Sequence, residues 1–168
     1  MKMTELFLAQ LDREAALTRK AVERVPEGQN GFIPHEKSME LGYLAALVAG
    51  MLGWIALMIE RDELDLTDPS SEGFRTKPLG SRSELMASLE KAVSNSRRAL
   101  ESTSDAHLLT SWTFKAGGNF EQKIPRHLMI ADAVFSHLAH HRGQLTVYLR
   151  LNASAVPALY GPSADERF

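Results

Sequence analysis

Apolar residues recur at helical spacing in four long segments of the chain. In the first segment, from about Thr4 to Val25, they follow alternating steps of three and four residues, as along the seam of a helical bundle. Pro26 and Gly28 are expected to end this helix. The positions predicted to face inward are Phe7, Leu11, Ala15, Thr18, Val22 and Val25.

The second segment is the most apolar and is predicted to form a helix from a cap at Ser38 to about Arg61. It contains the uncharged stretch Leu41–Ile59, which is close to the length needed to cross a bilayer. The other helices are amphipathic and need a buried partner, so we expect a core helix and no membrane span. One face carries small residues, which predicts either tight internal packing or a homodimer contact: Gly42, Ala46, Ala49, Gly50 and Gly53.

Two further amphipathic helices are predicted, one from Ser81 or Ser83 to about Glu101 and one from about His127 to Leu151. The connections before them are long and rich in proline or glycine, and residues 108–125 are expected to form an irregular excursion, either a short helix or a hairpin. No segment shows convincing strand alternation. The sequence therefore predicts an all-α, four-helix bundle with long crossover connections, forming a single domain over residues 1–168. Its third helix should bury Leu85, Leu89, Ala92, Ala99 and Leu100.

Composition narrows the functional classes. The net charge of −2 over 168 residues gives no electrostatic reason to bind nucleic acid. The absence of cysteine excludes disulfides, thiolate metal ligands and a cysteine nucleophile. The N-terminal apolar run is short and interrupted by Glu5 and Asp12, unlike a secretory signal, so a cytoplasmic location is expected.

The stretch "HLAHHRGQL", which begins at His137, is the strongest chemical signal. On a helical wheel, His137, His141, Gln144 and Tyr148 share a face with apolar residues, whereas His140 lies 60° from it. Two histidines one turn apart can bind one metal ion. The alternative is a pair of core histidines satisfied by hydrogen bonds. The nearby charges of Arg142 and Arg150 are interpreted as surface charges rather than as anion contacts.

Two longer stretches carry a resemblance to a known family. "HLAHHRGQLTVYLRLNASAVPALYGPSADE" resembles the last helix and tail of DinB/YfiT-like proteins, and "IPHEKSMELGYLAALVAGMLGW" resembles their second helix. The resemblance implies a four-helix bundle, often dimeric, with a divalent metal such as Ni or Zn held by three histidines. His137 and His141 match two of these ligands. Leu47 stands at the position of the third, and leucine has no lone pair to donate.

Two functional hypotheses follow from the resemblance. The first is a metal-dependent enzyme, such as a thiol-dependent transferase, whose histidine triad is incomplete because of Leu47. The second is a metal-free protein on the same bundle that binds a small molecule or serves as a stress-associated accessory. A homodimer and an unidentified small-molecule ligand are the expected partners, and no catalytic residue is predicted. The residues expected to line a pocket are Leu47, Met51, His140, Gln144 and Tyr148.

Overall fold

Helices dominate the fold, and a small sheet accompanies them. The structure is a computed structural model that describes residues 2–117 and 120–167. A 3₁₀ turn over Met51–Gly53 joins the second and third helices, and a π-helical turn over Ile130–Ser136 joins the last two. A further 3₁₀ segment covers Pro69–Phe74. The helices are α1 (Met3–Val22), α2 (Leu41–Gly50), α3 (Trp54–Glu60), α4 (Arg82–Ser102), α5 (Asp105–Leu108), α6 (Arg126–Met129) and α7 (His137–Leu151).

The predicted inward faces of α1 and α4 are confirmed, because every position named for them is buried. The predicted start of α4 at Ser81 is also confirmed. The Ser81 Oγ accepts a hydrogen bond from the backbone N–H of Glu84, and the Glu84 carboxylate accepts one from the backbone N–H of Ser81. This reciprocal cap satisfies backbone donors that the first turn leaves unpaired. By contrast, α1 ends at Val22 rather than Val25, and α2 begins at Leu41 rather than after Ser38.

The second predicted helix is interrupted by a serine from a neighbouring helix. The hydroxyl of Ser96 on α4 donates to the carbonyl of Leu52 at 2.7 Å and accepts from the amide of Ala56 at 3.2 Å. These two backbone groups lie one turn apart and would bond directly in a regular α-helix. A side chain inserted into this ladder is a recognised cause of a helix break. The uninterrupted helix predicted for this segment is therefore replaced by α2, a 3₁₀ turn and α3.

Part of the small-residue face of this segment packs internally against α4. A Cβ atom added to Gly53 would lie 3.3 Å from the Cβ of Ala92, so glycine allows the two backbones to approach closely. The stretch Leu41–Glu60 is long and apolar enough to cross a membrane, but 72% of its most apolar window is buried inside the protein, as in a core helix. The tight-packing interpretation is thus confirmed for Gly53, and the homodimer stays a prediction.

A three-stranded mixed sheet corrects the prediction of an all-α fold. Strand β1 (Glu63–Asp65) pairs in parallel with β2 (Ser111–Lys115), and β2 pairs in antiparallel with β3 (Glu121–Pro125). Leu64 lies opposite Phe114, and Trp112 lies opposite Ile124. Residues 108–125, left open between a short helix and a hairpin, contain the β2–β3 hairpin. Both long connections therefore contribute strands to one sheet, which the helical pattern did not predict.

Two buried arginines join elements that are distant in sequence. Arg142 is fully buried, and its Nη2 lies 2.6 Å from the Oε2 atom of Glu14 on α1. Tyr160 in the C-terminal tail donates to the same carboxylate oxygen at 2.6 Å. Burial alone would raise the pKa of Glu14, but the hydrogen bonds from Tyr160 and Arg142 and the charge of Arg142 lower it overall. The prediction that Arg142 is a surface charge is therefore wrong.

Arg126, at the start of α6, connects the end of α3 to the sheet. Its side chain donates to the carbonyls of Met58 at 2.9 Å, Arg61 at 3.1 Å and Ser111 at 2.7 Å, and it pairs with Asp62. Arg126 is only 1% exposed. Because a guanidinium offers five donors in a fixed planar fork, one side chain can hold several carbonyls in place. This cluster fixes the sheet against the helices.

Candidate functional site

A cavity of about 630 Å³ lies between α2 and α3 on one side, the π turn and start of α7 on another, and the sheet on a third. This volume is within the range of small-molecule sites, about 300 to 1,000 Å³. Leucines and methionines account for much of the wall, with Leu47 among them. Six aromatic residues complete it: Tyr43, Trp54, Phe74, Trp112, Phe114 and Phe120.

Few polar side chains reach the wall of this cavity. Arg75 is one of them, but its Nη2 donates to the carbonyl of Leu66 at 2.8 Å and its Nε lies 3.2 Å from a carboxylate oxygen of Glu72. The uncharged side chains of Thr76 and Gln122 also line the cavity. His137 is the one imidazole among the wall residues. A ligand here would meet mainly apolar and aromatic surface, with His137 as a distinctive polar contact.

The α7 helix positions His137 and His141 one turn apart, so that their rings meet. Their Nε2 atoms are 2.8 Å apart, and the ring centroids are 4.5 Å apart. An aromatic ring also lies beside the pair, because the Trp54 ring centroid is 5.9 Å from that of His137. His141 is 8% exposed and does not line the cavity, so only His137 connects the pair with the cavity.

Gln144 orients His141, the more buried histidine of the pair. Its Oε1 lies 2.7 Å from the Nδ1 of His141. An amide oxygen can only accept, so Nδ1 donates and the Nε2 of His141 is left to accept from the Nε2–H of His137. Burial lowers the pKa of His141, the hydrogen bond with Gln144 opposes this effect, and charge on His137 or His140 would lower the pKa further. The geometry and burial thus favour a neutral His141 whose Nε2 accepts one N–H···N hydrogen bond from His137.

The remaining residues predicted for the pocket lie in different surroundings. Met51 is fully buried in the core, outside the cavity wall. His140 is exposed, and its ring centroid lies 5.0 Å from that of His141. Tyr148 is buried, and its hydroxyl donates to the carbonyl of Met39 at 2.9 Å. Of the five residues predicted to line the pocket, Leu47 is the one on the cavity wall.

The donor set does not fit a three-ligand metal site. Within residues 2–117 and 120–167, no group of three histidine, cysteine, aspartate or glutamate side chains could hold one ion. His137 and His141 contribute two converging nitrogens, whereas a catalytic zinc normally has three protein ligands and an open position. Leu47 adds only apolar surface. The residues present therefore favour a hydrogen-bonded histidine pair beside an apolar cavity.

The sheet side of the cavity was missed from the sequence, although a signal for it exists. In "SWTFK", Trp112 and Phe114 alternate with polar residues at the period of two that is typical of a strand. Their rings are stacked with centroids 6.4 Å apart and nearly parallel, at 7°. The segment is only five residues long, and its parallel partner β1 is shorter still. Such short strands give little periodic signal.

Comparison with known proteins gives a family by sequence pattern and similar structures by fold. The model of the DinB family matches residues 1–167. A DinB-like protein from Bacillus cereus ATCC 10987 is similar in structure, with a TM-score of 0.70, 21% identity, and coverage of 93% of this chain and 97% of that one. The DinB-like protein YjoA from Bacillus subtilis gives a TM-score of 0.66, 18% identity, and coverage of 96% and 98%. No curated protein matches the chain.

Proposed function

The chain belongs to the DinB family, and from this premise we propose that it binds a small, predominantly apolar molecule in the cavity beside His137. The observation that carries the proposal is the cavity itself, which has a volume of about 630 Å³ and is walled mainly by aliphatic and aromatic side chains. Removing an apolar ligand from water into such a site is favourable in proportion to the area buried. His137 supplies a directional polar contact within this surface.

The residue at position 47, where the resemblance places a third histidine ligand, supports the binding role. Leu47 is nearly buried, at 8% exposure, and extends the apolar wall on the side of α2. A histidine there would bring a polar, ion-binding group to the wall, whereas leucine makes the same wall suitable for hydrocarbon. Apolar walls with a small number of placed polar groups are typical of small-molecule sites.

Filling the cavity should weaken binding. Ala133, in the π turn, lines the cavity, and Ala133→Trp would place an indole in the space that a ligand needs. With 1-anilinonaphthalene-8-sulfonate as the probe, fluorescence titration of the folded protein should show saturable binding that this variant weakens about tenfold or more, equivalent to about 1.4 kcal/mol. Ser136→Trp is the matched control, because Ser136 is exposed and outside the cavity wall. Equal weakening by both variants would contradict the proposal.

The convergence of the two Nε2 atoms of His137 and His141 favours a second candidate function. This candidate is a metal-dependent enzyme, for example a thiol-dependent transferase. Two protein nitrogens would hold Ni or Zn weakly and with little discrimination between ions. No reaction step is assigned to such an ion, because the side chains present do not complete its ligand set.

Elemental analysis separates the two candidates. Protein purified without a histidine tag should contain well below one Ni or Zn ion per chain, because only two imidazoles converge. Dialysis against zinc followed by removal of free ion should leave the content unchanged. One tightly held ion per chain, lost in His141→Ala, would instead support the metal-dependent enzyme.

A further inference from the structure

Two polar side chains, those of Arg75 and Gln122, reach the cavity wall from the side of the sheet. The Nη2 of Arg75 donates to the carbonyl of Leu66 at 2.8 Å, and the backbone N–H of Leu66 donates to the carbonyl of Lys115 in β2 at 2.9 Å. Gln122 lies opposite Phe114 in the pairing of β2 with β3. All of these residues except Lys115 line the cavity. The guanidinium of Arg75 is thus held against the sheet side of the wall.

The formal charge on the cavity wall is positive. Among the residues that the structure describes, no aspartate or glutamate lines the cavity, and Arg75 is the one arginine or lysine that does. The carboxylate of Glu72 lies outside the wall, with its oxygens 3.2 Å from the Nε of Arg75 and 3.3 Å from the Nζ of Lys77. Two cations therefore share one carboxylate, and the three side chains together carry net positive charge.

The guanidinium of Arg75 keeps donors available for a further partner. A guanidinium has five N–H donors. The Nη2 of Arg75 donates to Leu66 and its Nε lies beside Glu72, whereas its Nη1 makes no hydrogen bond to the part of the chain that the structure describes. The side chain is 54% exposed, so it lies at the rim of the cavity. An anionic group can accept from it there while staying in contact with water, which avoids the large cost of burying a charge.

We infer that the ligand of this cavity is an organic anion, with its apolar body against the aromatic wall and a carboxylate or sulfonate paired with Arg75 at the rim. This inference rests on the proposed function, because it names the chemical class of the molecule that the cavity binds. A guanidinium presents a planar set of donors that matches the oxygens of such a group. Glu72 weakens the preference, since its carboxylate competes for the same guanidinium.

Two fluorescent probes with the same ring system separate the anionic contact from the apolar one. 1-Anilinonaphthalene-8-sulfonate carries a sulfonate, and N-phenyl-1-naphthylamine lacks it. Arg75→Met should weaken binding of the sulfonate probe about three- to fivefold, the effect of losing a solvent-exposed ion pair, and should change binding of the neutral probe less than about twofold. The loss should shrink in high salt, because exposed charges are then screened.

Three further variants control for other effects of the substitution. Lys77→Met is the matched control, because Lys77 pairs with the same carboxylate of Glu72 but is not on the cavity wall. It should affect the sulfonate probe much less than Arg75→Met does. Arg75→Lys keeps the charge and should keep most of the affinity, which separates the charge from the contact with Leu66. Glu72→Gln removes the competing carboxylate, so it should strengthen binding of the sulfonate probe and leave the neutral probe unchanged.

Octanoate extends the test from a sulfonate to a carboxylate. It should displace N-phenyl-1-naphthylamine from the wild-type protein, as should 1-octanol, which has the same chain and no charge. Arg75→Met should weaken displacement by octanoate about as much as it weakens binding of the sulfonate probe, and it should leave displacement by 1-octanol unchanged.

The inference is overturned if Arg75→Met weakens binding of both probes equally, if Lys77→Met has the same effect as Arg75→Met, or if Glu72→Gln does not strengthen binding of the sulfonate probe. It is also overturned if Arg75→Met leaves displacement by octanoate unchanged. Absence of saturable binding of the neutral probe to the wild-type protein would instead contradict the proposed function. Binding of the neutral probe, together with no effect of Arg75→Met on the sulfonate probe, would contradict the anionic class alone.

Discussion

Replacing Arg142 with methionine is expected to lower the free energy of unfolding by about 3 to 5 kcal/mol, the range found when one partner of a buried ion pair is removed. The reason is the position of Glu14, which is 1% exposed and would lose the guanidinium 2.6 Å from its carboxylate. The remaining partners are Tyr160 and the largely exposed Arg13. Urea denaturation followed by circular dichroism measures the change.

Two variants control for the loss of an arginine as such. Arg150→Met removes an ion pair with Asp165 in which the arginine side chain is half exposed, and it should lower the free energy of unfolding much less than Arg142→Met does, because solvent screens the pair. The double variant Glu14→Gln with Arg142→Met should be more stable than Arg142→Met alone, because the unpaired buried charge is gone. If Arg142→Met and Arg150→Met destabilise equally, the buried cluster does not have the role described.

Replacing Arg126 with methionine is the second large effect, a loss of about 3 kcal/mol, because the buried carbonyl of Met58 and two part-buried carbonyls lose a donor. An unsatisfied buried group costs about 1 to 3 kcal/mol. Those carbonyls belong to Met58, Arg61 and Ser111, on both sides of the junction between α3 and the sheet. Arg126→Lys keeps the charge but loses the planar fork, so its stability should be intermediate.

The two arginine variants should differ in how they affect the cavity. Arg126 holds β2, which contributes Trp112 and Phe114 to the cavity wall, so Arg126→Met should weaken binding of the fluorescent probe even under conditions where the protein is folded. Arg142 joins α1, α7 and the tail and lies away from that wall. Folded Arg142→Met should therefore bind the probe as wild type does. The opposite order would show that the sheet does not shape the site.

The parts of the fold that were predicted are those with long periodic patterns. Leu11 and Leu89 are buried as their spacing predicts, and Ser81 caps α4 through a box visible in the sequence. The sheet could not be predicted in the same way. Its strands are three to five residues long, and β1 pairs with β2 across a wide sequence separation, so the pairing depends on tertiary contacts.

Helical spacing brought His137 and His141 together, because i and i+4 side chains always share a face. The cavity beside them could not be predicted from local sequence patterns, because its walls come from α2, α3, all three strands and the π turn. The prediction for Arg142 is wrong for a related reason, because its partner Glu14 lies 128 residues away. An arginine is predicted to lie at the surface unless its distant counter-charge is known.

The hydroxyl of Ser96 makes the conformation of one helical segment depend on its neighbour. It bridges the carbonyl of Leu52 and the amide of Ala56, so the break between α2 and α3 requires a side chain that α4 supplies. Without that hydroxyl, the two backbone groups could bond directly to each other, as they do in a regular α-helix. The interruption of the segment is therefore an outcome of helix association rather than a property of its own sequence.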